Sequence, residues 1–135
     1  MNAIIRNIKP LMLVSGILTT TMLYAAVAPA AALQSTFGES LSGPLAEVIV
    51  RNWGVLIALV GAMLIDGAFN PSTRRLALFA ASASKIAFIA LVLSNGSRYL
   101  GYGAGTAVAV DSLTVVLFMG YLAATRSAFR TSAVA

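Results

Sequence analysis

The chain has 135 residues, 59% of them hydrophobic and only 10% charged, where an ordinary soluble domain carries about a quarter charged residues. So little charge excludes a water-facing surface and leaves an integral membrane protein, whose net charge of +5 reads as flanking charge on membrane segments and not as a nucleic-acid footprint. The chain holds no Cys and no His, which removes thiol exchange, Cys-based zinc sites, the common haem ligand and the usual triad base.

The first predicted element is a membrane helix over about 10–33. Arg6 and Lys9 precede it, Pro10 suits a first helical turn, and Pro29 is expected to kink or end it. Its apolar run exceeds the span of about 7–15 residues usual in a signal peptide, so it is read as retained. Thr19, Thr20 and Thr21 can bond back to their own helix carbonyls and need no partner. A polar break over 34–46, rich in Ser and Gly, follows.

The second helix is expected over about 45–69. Glu47 and Arg51 stand four apart in the favourable order for a helical pair. Gly54, Ala58, Gly61 and Ile65 fall close to one face, which suits close approach of a neighbouring helix and makes this helix the packing spine. Asn70-Pro71-Ser72-Thr73 reads as a tight turn, so helices two and three should lie antiparallel.

Helix three is expected over about 74–94, crowded with Ala and Ser in its first half and interrupted by Lys85. Asn95-Gly96 marks a turn, and helix four follows over about 106–125 with Asp111 in its first two turns. Arg126 and Arg130 lie in a frayed tail. Each span has about 20 residues, enough to cross a hydrocarbon core of about 30 Å. Arg6, Lys9, Arg74, Arg75, Arg126 and Arg130 fall on one side, and only Arg51 and Arg98 on the other. The expected fold is therefore an all-α, up-down-up-down four-helix membrane bundle, one domain over 1–135, with both termini cytoplasmic.

Lys85 is the most informative residue. Near mid-membrane a charge costs at least about 2.5–3.5 kcal/mol, so Lys85 should face the bundle and find an anion. Asp111 is the candidate partner by depth. One reading is a buried ion pair that sets helix register. The other is a polar pocket towards the outer leaflet, lined by Lys85, Asp111, Arg51, Asn52 and Trp53. A third has the lysine snorkel or point at a partner. On the cytoplasmic side, Asp66 is expected to reach headgroup water or to pair with Arg74 or Arg75 across the turn. Trp53 at the boundary reads as an interfacial anchor. Gly101-Tyr102-Gly103 lacks the Thr-Val and the pore helix of a potassium filter. No metal site is expected.

The Arg51-Asn52-Trp53-Gly54 opening of helix two, Gly61, the Arg74-Arg75 turn and Lys85 within helix three resemble the DoxX-like group of small bacterial inner-membrane proteins. The resemblance implies a four-helix bundle in the inner (plasma) membrane and a quinone-linked or accessory role, and it supplies no catalytic residues. Small multidrug transporters are similar in length only, because they rely on a Glu in helix one and helix one here has no acid.

The first functional expectation is a non-catalytic accessory or assembly subunit, working through Gly/Ala-rich faces with other membrane subunits or as a homo-oligomer. The alternatives are a protein that binds a lipid or quinone headgroup at Lys85 and Asp111, and a small-molecule transporter. No resident cofactor is expected, with membrane lipids as the surroundings and nucleic acid excluded as a partner.

Overall fold

The computed structural model describes residues 2–134, and among them every regular element is helical. The elements are α1 (Asn2–Thr20), a 3-10 turn (Thr21–Leu23), α2 (Tyr24–Val27), α3 (Pro29–Phe37), α4 (Pro44–Phe69), α5 (Pro71–Leu93) and α6 (Gly103–Val134). Four stretches are long and apolar enough to cross a membrane: Asn2–Val27, Pro44–Phe69, Pro71–Leu93 and Gly103–Arg126. This is a multi-pass membrane protein with a helical bundle.

The first span departs most from expectation. It begins at Asn2, not near Pro10, and carries Pro10 in its interior, where the ring forgoes the bond its N–H would have made to the Arg6 carbonyl. At its other end the helix tightens through the 3-10 turn and breaks at Ala28, whose φ of −129° and ψ of 71° leave the helical region. A residue before proline is pushed out of that region, while the fixed φ of proline suits a first helical position. Pro29 therefore starts a new helix, α3, which takes in the first residues of the expected polar break and ends at Gly38 in a left-handed conformation, φ 71°.

Prolines also trim the other boundaries. Pro44 and Pro71 each occupy a first helical position, so the expected four-residue turn after Phe69 contracts to Asn70 alone. Helix α6 opens earlier than expected and runs on to Val134, so Arg126 and Arg130 continue it where a frayed tail was expected.

Helices α1 and α4 form the tightest pair. A Cβ on Gly61 would stand 2.4 Å from Thr20 Oγ1 and 2.7 Å from the Gly16 carbonyl, and one on Gly54 would stand 2.8 Å from Ala26 N. Only glycine permits such approach, which brings the two backbones into van der Waals contact. Met12 against Gly67, Gly16 against Gly61 and Ala26 against Gly54 pair rising numbers in α1 and α2 with falling numbers in α4. The small-residue face of α4 is thus spent within the chain.

Two apolar clusters close the bundle. One gathers Ile8, Met12, Leu64, Ala68, Ala77, Leu78, Ala81 and Phe118. The other joins Ala25, Ala32, Leu33 and Val50, with Met22, Phe37 and Trp53 against it. At the first end, Lys9 Nζ sits 4.5 Å from the Phe69 ring centroid. At the second, Arg98 donates to Glu39, at 2.9 Å through Nε, which ties the α5–α6 connection to the α3–α4 loop. That bond raises the Arg98 guanidinium above its ordinary pKa.

Candidate functional site

Between the two apolar clusters lies a cavity of about 750 Å³, walled by α1, α4, α5, α6 and the end of α3. Its lining is mainly aliphatic and aromatic, with one charged pair set into it. Lys85 Nζ of α5 donates to Asp111 Oδ1 of α6 at 2.5 Å, and the two side chains are 10% and 17% exposed. Nζ also lies 3.4 Å from Thr19 Oγ1 on α1. The pair thus stitches together three helices that are apolar enough to cross a membrane, where a lone charge would be costly.

The hydrogen bonds of the pair are incomplete. An ammonium has three N–H donors and a carboxylate two acceptor oxygens. Asp111 Oδ1 is taken by Lys85, while Oδ2 accepts no hydrogen bond among the described residues. Nζ makes bonds to Asp111 and Thr19, which leaves its third N–H for whatever enters the cavity. Burial this deep with spare donor and acceptor capacity on both partners marks a place for a polar guest.

The exposed residues that line the cavity are apolar on the α1–α6 side, with the hydroxyls of Thr21, Ser35, Ser84 and Thr106 also at its rim. Leu18 on α1 and Leu113 on α6 line that side and are 54% and 63% exposed, with Val14 and Val110 beside them. The cavity therefore opens sideways, between α1 and α6, in the stretch of both helices that is apolar enough to lie in a membrane. The far wall holds Trp53, Phe88, Ser35 and Thr36. A Cβ on Gly103 would stand 2.9 Å from the Ser35 carbonyl, so α3 meets the start of α6 in backbone contact at that end.

Of the outer residues expected to join Lys85 and Asp111, only Trp53 lines the cavity. Its ring packs 6.1 Å, centroid to centroid, from Phe37, which also meets Phe88 at 6.5 Å and Tyr99 at 5.3 Å. The same aromatic wall borders a second, smaller recess of about 380 Å³ on its other side. Arg51 turns elsewhere. It pairs with Glu47 at 3.5 Å and donates through Nη1 to the carbonyl oxygens of Ala26 and Val27, which the break at Ala28 deprives of helical partners. Asn52 is exposed and outside the cavity lining. The expected five-residue pocket thus reduces to Lys85, Asp111 and Trp53.

The second expected cluster also rearranges. Asp66 accepts hydrogen bonds from Asn70 Nδ2 at 2.5 Å and Thr73 Oγ1 at 2.6 Å. Arg74 instead donates to the carbonyls of Gly67, at 2.9 Å, and Ala68, at 3.1 Å, so its guanidinium caps the last turn of α4. Arg75 is half-buried in the first turns of α5. Neither Asp66 nor these arginines line the cavity.

Thr19 and Phe37 are the site residues that sequence reasoning missed. Thr20 and Thr21 do bond back to Gly16 and Leu18, which is the ordinary habit of helical threonine. Thr19 differs because it faces Lys85, and only its angular position on α1, one residue away from theirs, signals it. Phe37 sits in a stretch that reads as a polar break. Among the described residues no three His, Cys, Asp or Glu side chains converge as a metal site would require. Compared with family models, with curated proteins and with solved structures, the chain matches none.

Proposed function

We propose that this chain is a membrane-embedded binding protein for an amphiphilic small molecule, with the polar head at Lys85–Asp111 and the apolar tail leaving between α1 and α6. One observation carries the reading: a cavity of about 750 Å³ whose only charged lining groups are that pair and whose lining between α1 and α6 exposes Val14, Leu18, Val110 and Leu113. Such a volume falls within the range of about 300–1,000 Å³ typical of small-molecule sites. A water-soluble ligand would gain nothing from a mouth lined by Leu18 and Leu113. A lipid or quinone class of ligand, already dissolved in the bilayer, reaches it without crossing an aqueous phase. The role is one of binding, not of catalysis.

The accompanying orientation is up-down-up-down with both termini cytoplasmic, because Arg6, Lys9, Arg74, Arg75, Arg126 and Arg130 then lie on the side where basic residues accumulate. A bacterial inner membrane and a DoxX-like kinship belong to the same proposal and rest on the residues quoted for them above. Assembly as an accessory subunit through Gly-rich faces is less favoured, since Gly16, Gly54 and Gly61 are occupied inside the chain.

The test is direct. Protein purified in mild detergent and extracted with organic solvent should release a bound amphiphile in roughly stoichiometric amount by mass spectrometry. Ala107→Phe, which fills the cavity from α6, and the double variant Lys85→Met/Asp111→Leu, which removes both charges, should both lose it while remaining monodisperse. Equal retention by the wild type and both variants would sink the reading.

A further inference from the structure

Resting on that binding reading, we infer the chemistry of the head: the cavity selects an uncharged head that carries a hydroxyl, as in a long-chain alcohol or a glyceride, and discriminates against anionic phosphate heads.

Charge comes first. Lys85 and Asp111 are in contact and cancel, and the cavity lining holds no further charged side chain. Arg51, which would have tipped the balance positive, is engaged with Glu47 and the carbonyls of Ala26 and Val27 outside the cavity. An entering phosphate would meet a lysine already neutralised and a carboxylate beside it, with no further cation in the lining to offset the repulsion. An entering cation would face the ammonium in the same way. A neutral head suffers neither penalty.

Hydrogen bonding then narrows the neutral heads. The pair offers one of each kind: the third N–H of Lys85 as donor and Oδ2 of Asp111 as acceptor. A group that both accepts and donates at one point fills the two together, and a hydroxyl is the smallest such group. A head that only accepts, such as an ether or a simple ketone, would offer Oδ2 of Asp111 no donor. Sites built to bond a hydroxyl reject analogues that lack it.

Three probes with one tail separate the possibilities: oleyl alcohol, oleyl methyl ether and oleyl phosphate. Each is added to delipidated wild-type protein in detergent, and binding is read by native mass spectrometry and by fluorescence of Trp53, the one tryptophan in the chain, which lines the cavity. Oleyl alcohol should bind at least about tenfold tighter than either of the others. In Asp111→Asn the pair is left net positive, and the order should invert in favour of the phosphate.

Tight, equal binding of all three probes would overturn the hydroxyl selection and leave the cavity reading standing. Phosphate preference in the wild type would overturn the charge argument in the same way. Binding of none would remove both readings. The wild-type comparison uses no variant, so instability of Asp111→Asn would not blunt it.

Discussion

The carbonyl oxygen of Gly16 lies 2.7 Å from where a Cβ on Gly61 would stand, so α1 and α4 meet backbone to backbone. Gly61→Ala places a methyl group 2.6 Å from Thr20 N as well, and that atom belongs to a helix that cannot yield locally. Overpacking of this kind costs about 1–3 kcal/mol. Thermal unfolding in detergent should show a clear drop in Tm for Gly61→Ala. Gly101→Ala, where nothing lies within 4 Å, should leave Tm unmoved and serves as the control. Equal behaviour of the two would mean that the α1–α4 contact is looser than drawn.

The Lys85–Asp111 pair predicts a characteristic double-mutant cycle. Lys85→Met or Asp111→Leu alone strands a charge among apolar groups and should cost about 3–5 kcal/mol. The double replacement removes both charges and should recover most of that loss. Chemical denaturation of the four proteins measures the coupling. A double variant as unstable as the sum of the singles would refute mutual compensation. Where the double variant folds, its failure to retain amphiphile would separate the pair's role in binding from its role in packing.

Arg51 and Arg98 look alike in sequence and should behave differently. Arg51→Ala strips donors from the carbonyls of Ala26 and Val27, and the expected loss is about 1 kcal/mol. Amide exchange across α2 and the start of α3 should accelerate with it. Arg98 forms an exposed pair with Glu39 between two loops, and Arg98→Ala should leave thermal stability within error, since solvent-exposed pairs contribute little. A larger effect at Arg98 than at Arg51 would reverse this assignment.

Much of the architecture was legible in residue order. Helix α4 begins one residue before its expected start and ends where expected, because its apolar run is uninterrupted and prolines punctuate it. The partnership of Lys85 with Asp111 followed from depth alone, since each residue's place along its helix sets its level in the bundle. Pro29 misled because a proline marks a break equally well as an ending or as a beginning. What followed the break depended on α3 having α4 and the start of α6 to lie against.

By itself, then, the sequence determined the class of molecule, its helices and the one charged residue that had to be compensated. These properties depend on composition and on position along single helices. The tertiary structure decided the rest: that Thr19 and not its neighbours meets Lys85, that Arg51 caps a broken helix outside the pocket, that Asp66 bonds Asn70 and Thr73, and that the cavity opens between α1 and α6. Those outcomes depend on the rotation of each helix about its axis and on how closely the helices approach. Both are set by where Gly16, Gly54 and Gly61 allow two backbones to touch.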